Sequence, residues 1–244
     1  MNIKYFLFLS FGLLTTLSCS TRTEQPCDNH FIRGNNYFLS TDFANAKKEF
    51  ELAIESDKGN TNAYYGLGNM YFVNGKYLQG IDYLSKAIDI DPKFTLALYT
   101  RATVFAATGQ HKKAITDMNT VIQQKPDFAL AYYSRANYLS ATGDVKAAIL
   151  DMNELLARSP DFVDGYFYRG YFNGQLQNYG PAIEDFSKVI ELKRDYSGAY
   201  SYRGYYKYLS GMTAEACEDF NKAVELGDST AKQYVDQYCK QTGK

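Results

Sequence analysis

Five arginines each stand 16 residues ahead of an acid: Arg33 with Glu49, Arg101 with Asp117, Arg135 with Asp151, Arg169 with Asp185 and Arg203 with Asp219. A guanidinium beside a carboxylate can hold a catalytic acid in place, grip an anion, or lock two elements together through its planar fork of donors. The four arginines from Arg101 to Arg203 recur every 34 residues. Several copies of one active site in one chain are improbable, whereas a structural ion pair multiplies with the element it holds. The rest of the reactive inventory is thin: two histidines, His30 and His111, and four cysteines. No Cys/His set has metal-ligand spacing, and there is no Gly-rich phosphate loop or nucleophile elbow. Nothing supplies an activated base or nucleophile. The expectation is a non-catalytic protein with no metal and no cofactor.

The elements that position these pairs follow from an internal repeat. Shifted by 34 residues, the sequence matches itself without insertion over 27–60, 61–94, 95–128, 129–162, 163–196 and 197–230. Position 8 of each block is small (Gly34, Gly68, Ala102, Ala136, Gly170, Gly204), and so is position 20 (Ala46, Gly80, Ala114, Ala148, Ala182, Ala216). Position 24 is large: Phe50, Leu84, Met118, Met152, Phe186 and Phe220. Gly75, Gly109, Gly143 and Gly211 fall at position 15, where a first helix would end in a left-handed residue; block five has Gln177 there. Pro92, Pro126 and Pro160 fall at position 32, beyond a second helix that they cannot continue. Each block therefore reads as a helix hairpin. The arginine at position 7 and the acid at position 23 lie eight residues either side of the turn, so both sit ~12 Å along their helices and meet level. In block two Leu67 and Tyr83 replace both charges together, which favours pairing within each block.

This pattern resembles the tetratricopeptide repeat (TPR), and the resemblance covers 204 of the 244 residues. It implies an all-α fold, a right-handed α-solenoid of six TPR hairpins, with residues 231–244 as a polar capping helix over the last apolar face. It also implies a concave groove lined by first helices and a protein or peptide partner. Positions 5, 6 and 9 of the blocks carry Tyr65, Asn69, Tyr99, Tyr133, Asn137, Phe167, Tyr168, Tyr171, Tyr202 and Tyr205, an aromatic ladder with amides beside it. Ring faces suit partner side chains and amides suit a peptide backbone. Packing between adjacent repeats is the other reading of position 5, and a stacked glycan is the alternative ligand. The subset of the family that clamps acidic chaperone tails needs polar and basic groups where this chain has Phe31, Gly66, Leu96 and Thr100, so that partner class is not expected. His30 shares position 4 with mostly aromatic residues and reads as packing.

Formal net charge is −1, with 22 % charged and 45 % hydrophobic residues. That balance is globular, and without a basic run nucleic acid is not an expected partner. There are 23 Tyr, 16 Phe and no Trp. The first 18 residues differ from the rest: Lys4, then an apolar run from Tyr5 to Leu17, then Ser18 and Cys19. The run is too short to span a bilayer and fits a secretory signal peptide. It resembles a bacterial lipoprotein signal, which implies lipid on Cys19 and residues 19–26 as a polar tether. The expected location is the cell envelope, lipid-anchored and more readily at the periplasmic face of the outer membrane, with a soluble periplasmic or secreted protein as the alternative. In an oxidising compartment Cys217 and Cys239 would staple the cap if bonded; two small buried thiols are the other reading.

Overall fold

The computed structural model describes residues 29–239, which are all helical apart from short connections. The proposed signal segment, Cys19, the tether and Cys27 lie outside the described residues. Twelve helices form six hairpins: α1 (Asn29–Leu39) with α2 (Phe43–Ser56), α3 (Thr61–Val73) with α4 (Tyr77–Ile90), and α5 (Thr95–Ala107) with α6 (His111–Gln124). Then come α7 (Ala129–Ala141) with α8 (Val145–Arg158), α9 (Val163–Gln175) with α10 (Tyr179–Leu192), and α11 (Ser197–Leu209) with α12 (Thr213–Glu225). A short α13 (Ser229–Tyr234) runs into a π-helical turn, Val235–Cys239. The chain divides between Lys125 and Pro126 into two compact units of three hairpins each, the second ending in α13. Within each unit every helix packs on the next in sequence, the arrangement of a TPR solenoid.

The small and large positions of the repeat meet inside each hairpin. All six side chains at position 24 are fully buried, as are the five alanines at position 20. A methyl group on Gly34 would lie 2.6 Å from Phe50 Cδ1, and one on Gly204 2.9 Å from Phe220 Cδ1. The position-24 ring thus occupies the space a position-8 side chain would need. Close-packed interiors leave no slack for both.

The turn inside each hairpin is three residues long and closes in the same way. In repeat two Gly75 N–H donates to Phe72 O at 3.0 Å and Lys76 N–H to Tyr71 O at 2.8 Å, with Gly75 at φ 74°. Repeat five makes the same two bonds with Gln177 at φ 61°, and repeat one with Thr41 at φ 62°. A left-handed non-glycine residue costs about 1–2 kcal/mol. Gln177→Gly and Thr41→Gly are each expected to raise stability by about 1 kcal/mol, and Gly143→Ala to lower it by a similar amount. Denaturant midpoints at constant slope measure all three; a loss in either glycine variant would contradict the strain.

The cap begins two residues earlier than the repeat pattern implies, at Ser229 instead of Ala231. Repeats one to five end in four-residue connections, but here Gly227 at φ 90° and Asp228 make the three-residue turn otherwise found inside a hairpin. Asp228 caps α13 by accepting from the N–H groups of Thr230 and Ala231, and it also accepts from the Ser201 hydroxyl. Burial works to raise the Asp228 carboxyl, but these donors together hold it below its ordinary value. A carboxyl lowered by folding stabilises fully above its unfolded pKa and loses that contribution as pH falls through the folded one. The docking of the cap therefore weakens on acidification. A disulfide joins Cys217 on α12 to Cys239 at the end of the cap.

Candidate binding surface

The position-7 guanidiniums turn inward to their own hairpins. Nη2 lies 2.8 Å from Oδ1 in Arg101–Asp117 and 2.6 Å in Arg135–Asp151, Arg169–Asp185 and Arg203–Asp219. In each of these repeats Nε donates to the same carboxylate, which makes the fork bidentate. Asp219 also takes Lys207 Nζ at 2.8 Å. Tyr132, Tyr166 and Tyr200 present their rings to the guanidiniums of Arg135, Arg169 and Arg203 at 5.5–5.8 Å. These acids are buried and fully engaged, so they present no free acid–base dyad. In repeat one Arg33 Nε donates to Glu49 at 2.9 Å, and His30 Nδ1 lies 2.7 Å from the same oxygen. His30 is thus part of a polar cluster and not of the apolar packing expected of position 4. Among the described residues no group of three His, Cys, Asp or Glu side chains could hold a metal ion.

The arginines also do something that the pairing pattern does not announce. Arg101 Nη1 donates to Ser85 at 3.0 Å, Arg169 Nη1 to Asn153 at 2.8 Å and Arg203 Nη1 to Ser187 at 3.2 Å. Each acceptor is position 25 of the preceding repeat. One guanidinium therefore ties two helices of its own hairpin and the hairpin before it. The run of small polar residues at that position was a readable sign.

The ladder residues separate into two groups. In the first unit Tyr65 is 0 % exposed, its ring tilted against Phe94 at 5.2 Å, and Tyr99 is 9 % exposed. In the second unit Tyr133 packs on Phe162 at 5.6 Å and Phe167 on Tyr196 at 5.2 Å. In repeats two, four and five the position-5 ring therefore packs against the last residue of its own repeat. Tyr168, Tyr171, Tyr202 and Tyr205 remain half-buried. Their ring contacts include edge-to-face pairs, Tyr133 with Tyr168 at 80°, Phe167 with Tyr202 at 89° and Tyr171 with Tyr202 at 83°, and stacked ones, Tyr202 on Phe186 and Tyr205 on Tyr234. Burial pushes the Tyr133 hydroxyl well above its ordinary value, with Tyr168 adding to it.

Position 9 carries the most informative contrast. Thr103 Oγ1 donates to Tyr99 O at 3.0 Å, and Asn137 Nδ2 to Tyr133 O at 2.9 Å. Each returns its donor to its own helix. Asn35 and Asn69, at the same position of repeats one and two, do not. Both are 1 % exposed, and neither Nδ2 nor Oδ1 has a hydrogen-bond partner among the described residues. A buried polar group left so costs about 1–3 kcal/mol. Such groups in a native fold call for a reason, and a ligand is one.

Family profiles described as tetratricopeptide repeat match residues 61–94, 99–161 and 163–196, more than half of the chain. The chain belongs to the tetratricopeptide repeat family. Among solved structures it is similar to MamA, with 24 % identity and a TM-score of 0.66 over 70 % of this chain and 94 % of that one. YrrB, described as a TPR protein with an unusual peptide-binding site, aligns at 17 % identity and a TM-score of 0.69 over 77 % and 97 %. A tetratricopeptide repeat protein from Parabacteroides merdae aligns at 18 % and 0.64 over 86 % and 97 %. At these identities the likeness is one of fold. Among curated proteins none matches the chain.

Proposed function

We propose that the protein is an exported, lipid-anchored, non-catalytic TPR scaffold that binds an extended segment of a protein partner along its first helices. The observation that carries the reading is the pair of buried amides, Asn35 and Asn69, which have no hydrogen-bond partner among the described residues. Each carries one carbonyl and two N–H donors, the complement of a peptide unit, and both lie inside the fold, so a partner would meet them only after the side chains turn outward. In the second unit, taken by itself, the half-buried tyrosines offer ring surface for partner side chains. A glycan is less well served, because edge-to-face packing uses ring faces on which a sugar would stack. The acidic-tail chaperones remain outside the reading, and so does nucleic acid.

Export and anchoring rest on the Tyr5–Leu17 run followed by Ser18 and Cys19. The Cys217–Cys239 disulfide supports an oxidising compartment. No helix among the described residues is long and apolar enough to cross a membrane. Cys19→Ser tests the anchor: the variant should leave the membrane fraction and lose acyl mass from its N-terminus.

Asn69→Leu tests the binding reading and separates it from a structural role. Replacing an unsatisfied buried amide by an apolar side chain of similar size should stabilise the fold by about 1 kcal/mol. On a peptide array, the same change should abolish the binding shown by the wild-type chain. A stabilised variant with unaltered binding would refute the peptide role, and a destabilised one would show that the amide has a structural partner.

A further inference from the structure

Repeat two lacks both the arginine and its position-23 acid but keeps the position-4 ring and the position-25 acceptor that flank the guanidinium elsewhere. In repeats five and six the position-7 guanidinium lies against the position-4 tyrosine ring at 5.5 and 5.6 Å and donates to position 25 of the preceding repeat at 2.8 and 3.2 Å. Repeat two keeps the tyrosine, as Tyr64, and the acceptor in repeat one is a carboxylate, Glu51. Its own position 7 is Leu67, fully buried, and position 23 is Tyr83, whose ring stacks on Tyr71 at 5.4 Å and lies 6.5 Å from the Tyr64 ring. Between α2, α3 and α4 an open hollow of about 430 Å³ is lined by Glu51, Glu55, Lys58, Tyr64, Tyr83 and Lys86.

We propose that this hollow receives the guanidinium of an arginine side chain from a partner polypeptide. The other repeats show what group these surroundings hold: a planar cation, flanked by a ring and bonded to a position-25 acceptor. Here the acceptor is stronger, since a carboxylate replaces a serine or asparagine and gives a charge-assisted bond. Among the described residues Glu51 pairs with Lys47, at 3.5 Å and with both side chains more than two-fifths exposed, so it is open to competition. Lys86 already lies over the Tyr83 ring at 5.1 Å, which shows that the aromatic wall attracts a cation. Lys58 and Lys86 offset Glu51 and Glu55, so the hollow has no net charge to draw any cation from a distance. Recognition comes from the fork geometry, which favours guanidinium over ammonium. The site is separate from the Asn35 and Asn69 positions and does not rest on the peptide reading.

The test is a titration of the full chain, carrying isotope-labelled tyrosine, with N-acetyl-arginine amide, N-acetyl-lysine amide and the neutral isostere N-acetyl-citrulline amide. The arginine compound should shift the Tyr64 and Tyr83 resonances with millimolar affinity. Citrulline should bind about ten-fold more weakly, and lysine should fall between them. Glu51→Gln should weaken the arginine compound several-fold, whereas Asn69→Leu should leave it unchanged. Leu67→Arg with Tyr83→Asp, which rebuilds the standard pair, should abolish binding. Equal shifts from citrulline, no response at Tyr64 and Tyr83, or a response to an oligosaccharide in place of arginine would each overturn the proposal.

Discussion

Arg169→Met is expected to cost about 3 kcal/mol, and adding Asp185→Leu to restore most of it. Asp185 is 6 % exposed on its side chain and accepts Arg169 Nη2 at 2.6 Å and Nε at 3.0 Å. Removing the guanidinium alone strands a buried carboxylate, and breaking one side of a buried pair costs about 3–5 kcal/mol. Arg169 is a quarter exposed, which places the loss at the lower end of that range. The pair itself is a different matter. The Asp185 bond holds the Arg169 guanidinium above its ordinary pKa, yet burial pushes the Asp185 carboxyl up in spite of Arg169. Replacing a buried pair by apolar side chains of similar volume is often neutral or stabilising, so removing both charges should not repeat the loss. Asn153, the partner on the preceding repeat, is exposed and regains water without penalty, whereas the buried Asn173 loses the Asp185 acceptor and keeps the recovery from being complete. Repeat two carries such an apolar version in Leu67 and Tyr83. At about 2–4 °C per kcal/mol for a chain of this length, the single variant should melt some 6–12 °C lower and the double variant within a few degrees of wild type. Equal losses in both would reject the pair as a source of helix registry.

The same comparison shows which parts of the molecule could be read from residues. Positions 7, 8, 20, 23 and 24 were legible because each recurs at a fixed offset, and identity at five or six sites constrains one geometry. The concave ladder was legible only as a face. A 3.6-residue period places Tyr65 and Tyr99 on that side of a helix but does not say that their own repeat covers them, as Phe94 does for Tyr65. Bonding at position 9 was invisible for a similar reason. Asn137 and Asn69 are the same residue at the same position, yet only the first turns its amide to the carbonyl four residues back. The early start of the cap was signalled by Gly227, a position-15 type of residue one place before the proline position, but a single occurrence carries little weight against five other blocks.

Gly174 marks where a unique contact defeats the repeat logic, and it gives the second large effect. It stands in the last turn of α9 at position 12, where the other repeats carry residues from Ala106 to Phe38 and Tyr208. A methyl group there would overlap the end of the Tyr206 ring, at Cζ and Oη. Tyr206 comes from α11 and is 5 % exposed, its ring stacked 5.9 Å from Phe186 and 5.8 Å from Tyr179. It has no open direction in which to swing. Overpacking of this kind costs about 1–3 kcal/mol, and the stacked neighbours put that cost near 3 here, for a net loss of about 2 in Gly174→Ala once helix preference is counted. The helix itself prefers the substitution: alanine is better than glycine by about 1 kcal/mol in a helix interior. The two effects can be separated by background. In a chain already carrying Tyr206→Leu, which shortens the obstructing side chain, Gly174→Ala should become neutral or mildly stabilising. The sign should therefore change between backgrounds, with a coupling of about 2–3 kcal/mol in a double-mutant cycle. The same loss in both backgrounds would mean that α9 and α11 do not interlock at this point, and that the glycine is needed for the backbone of the turn alone.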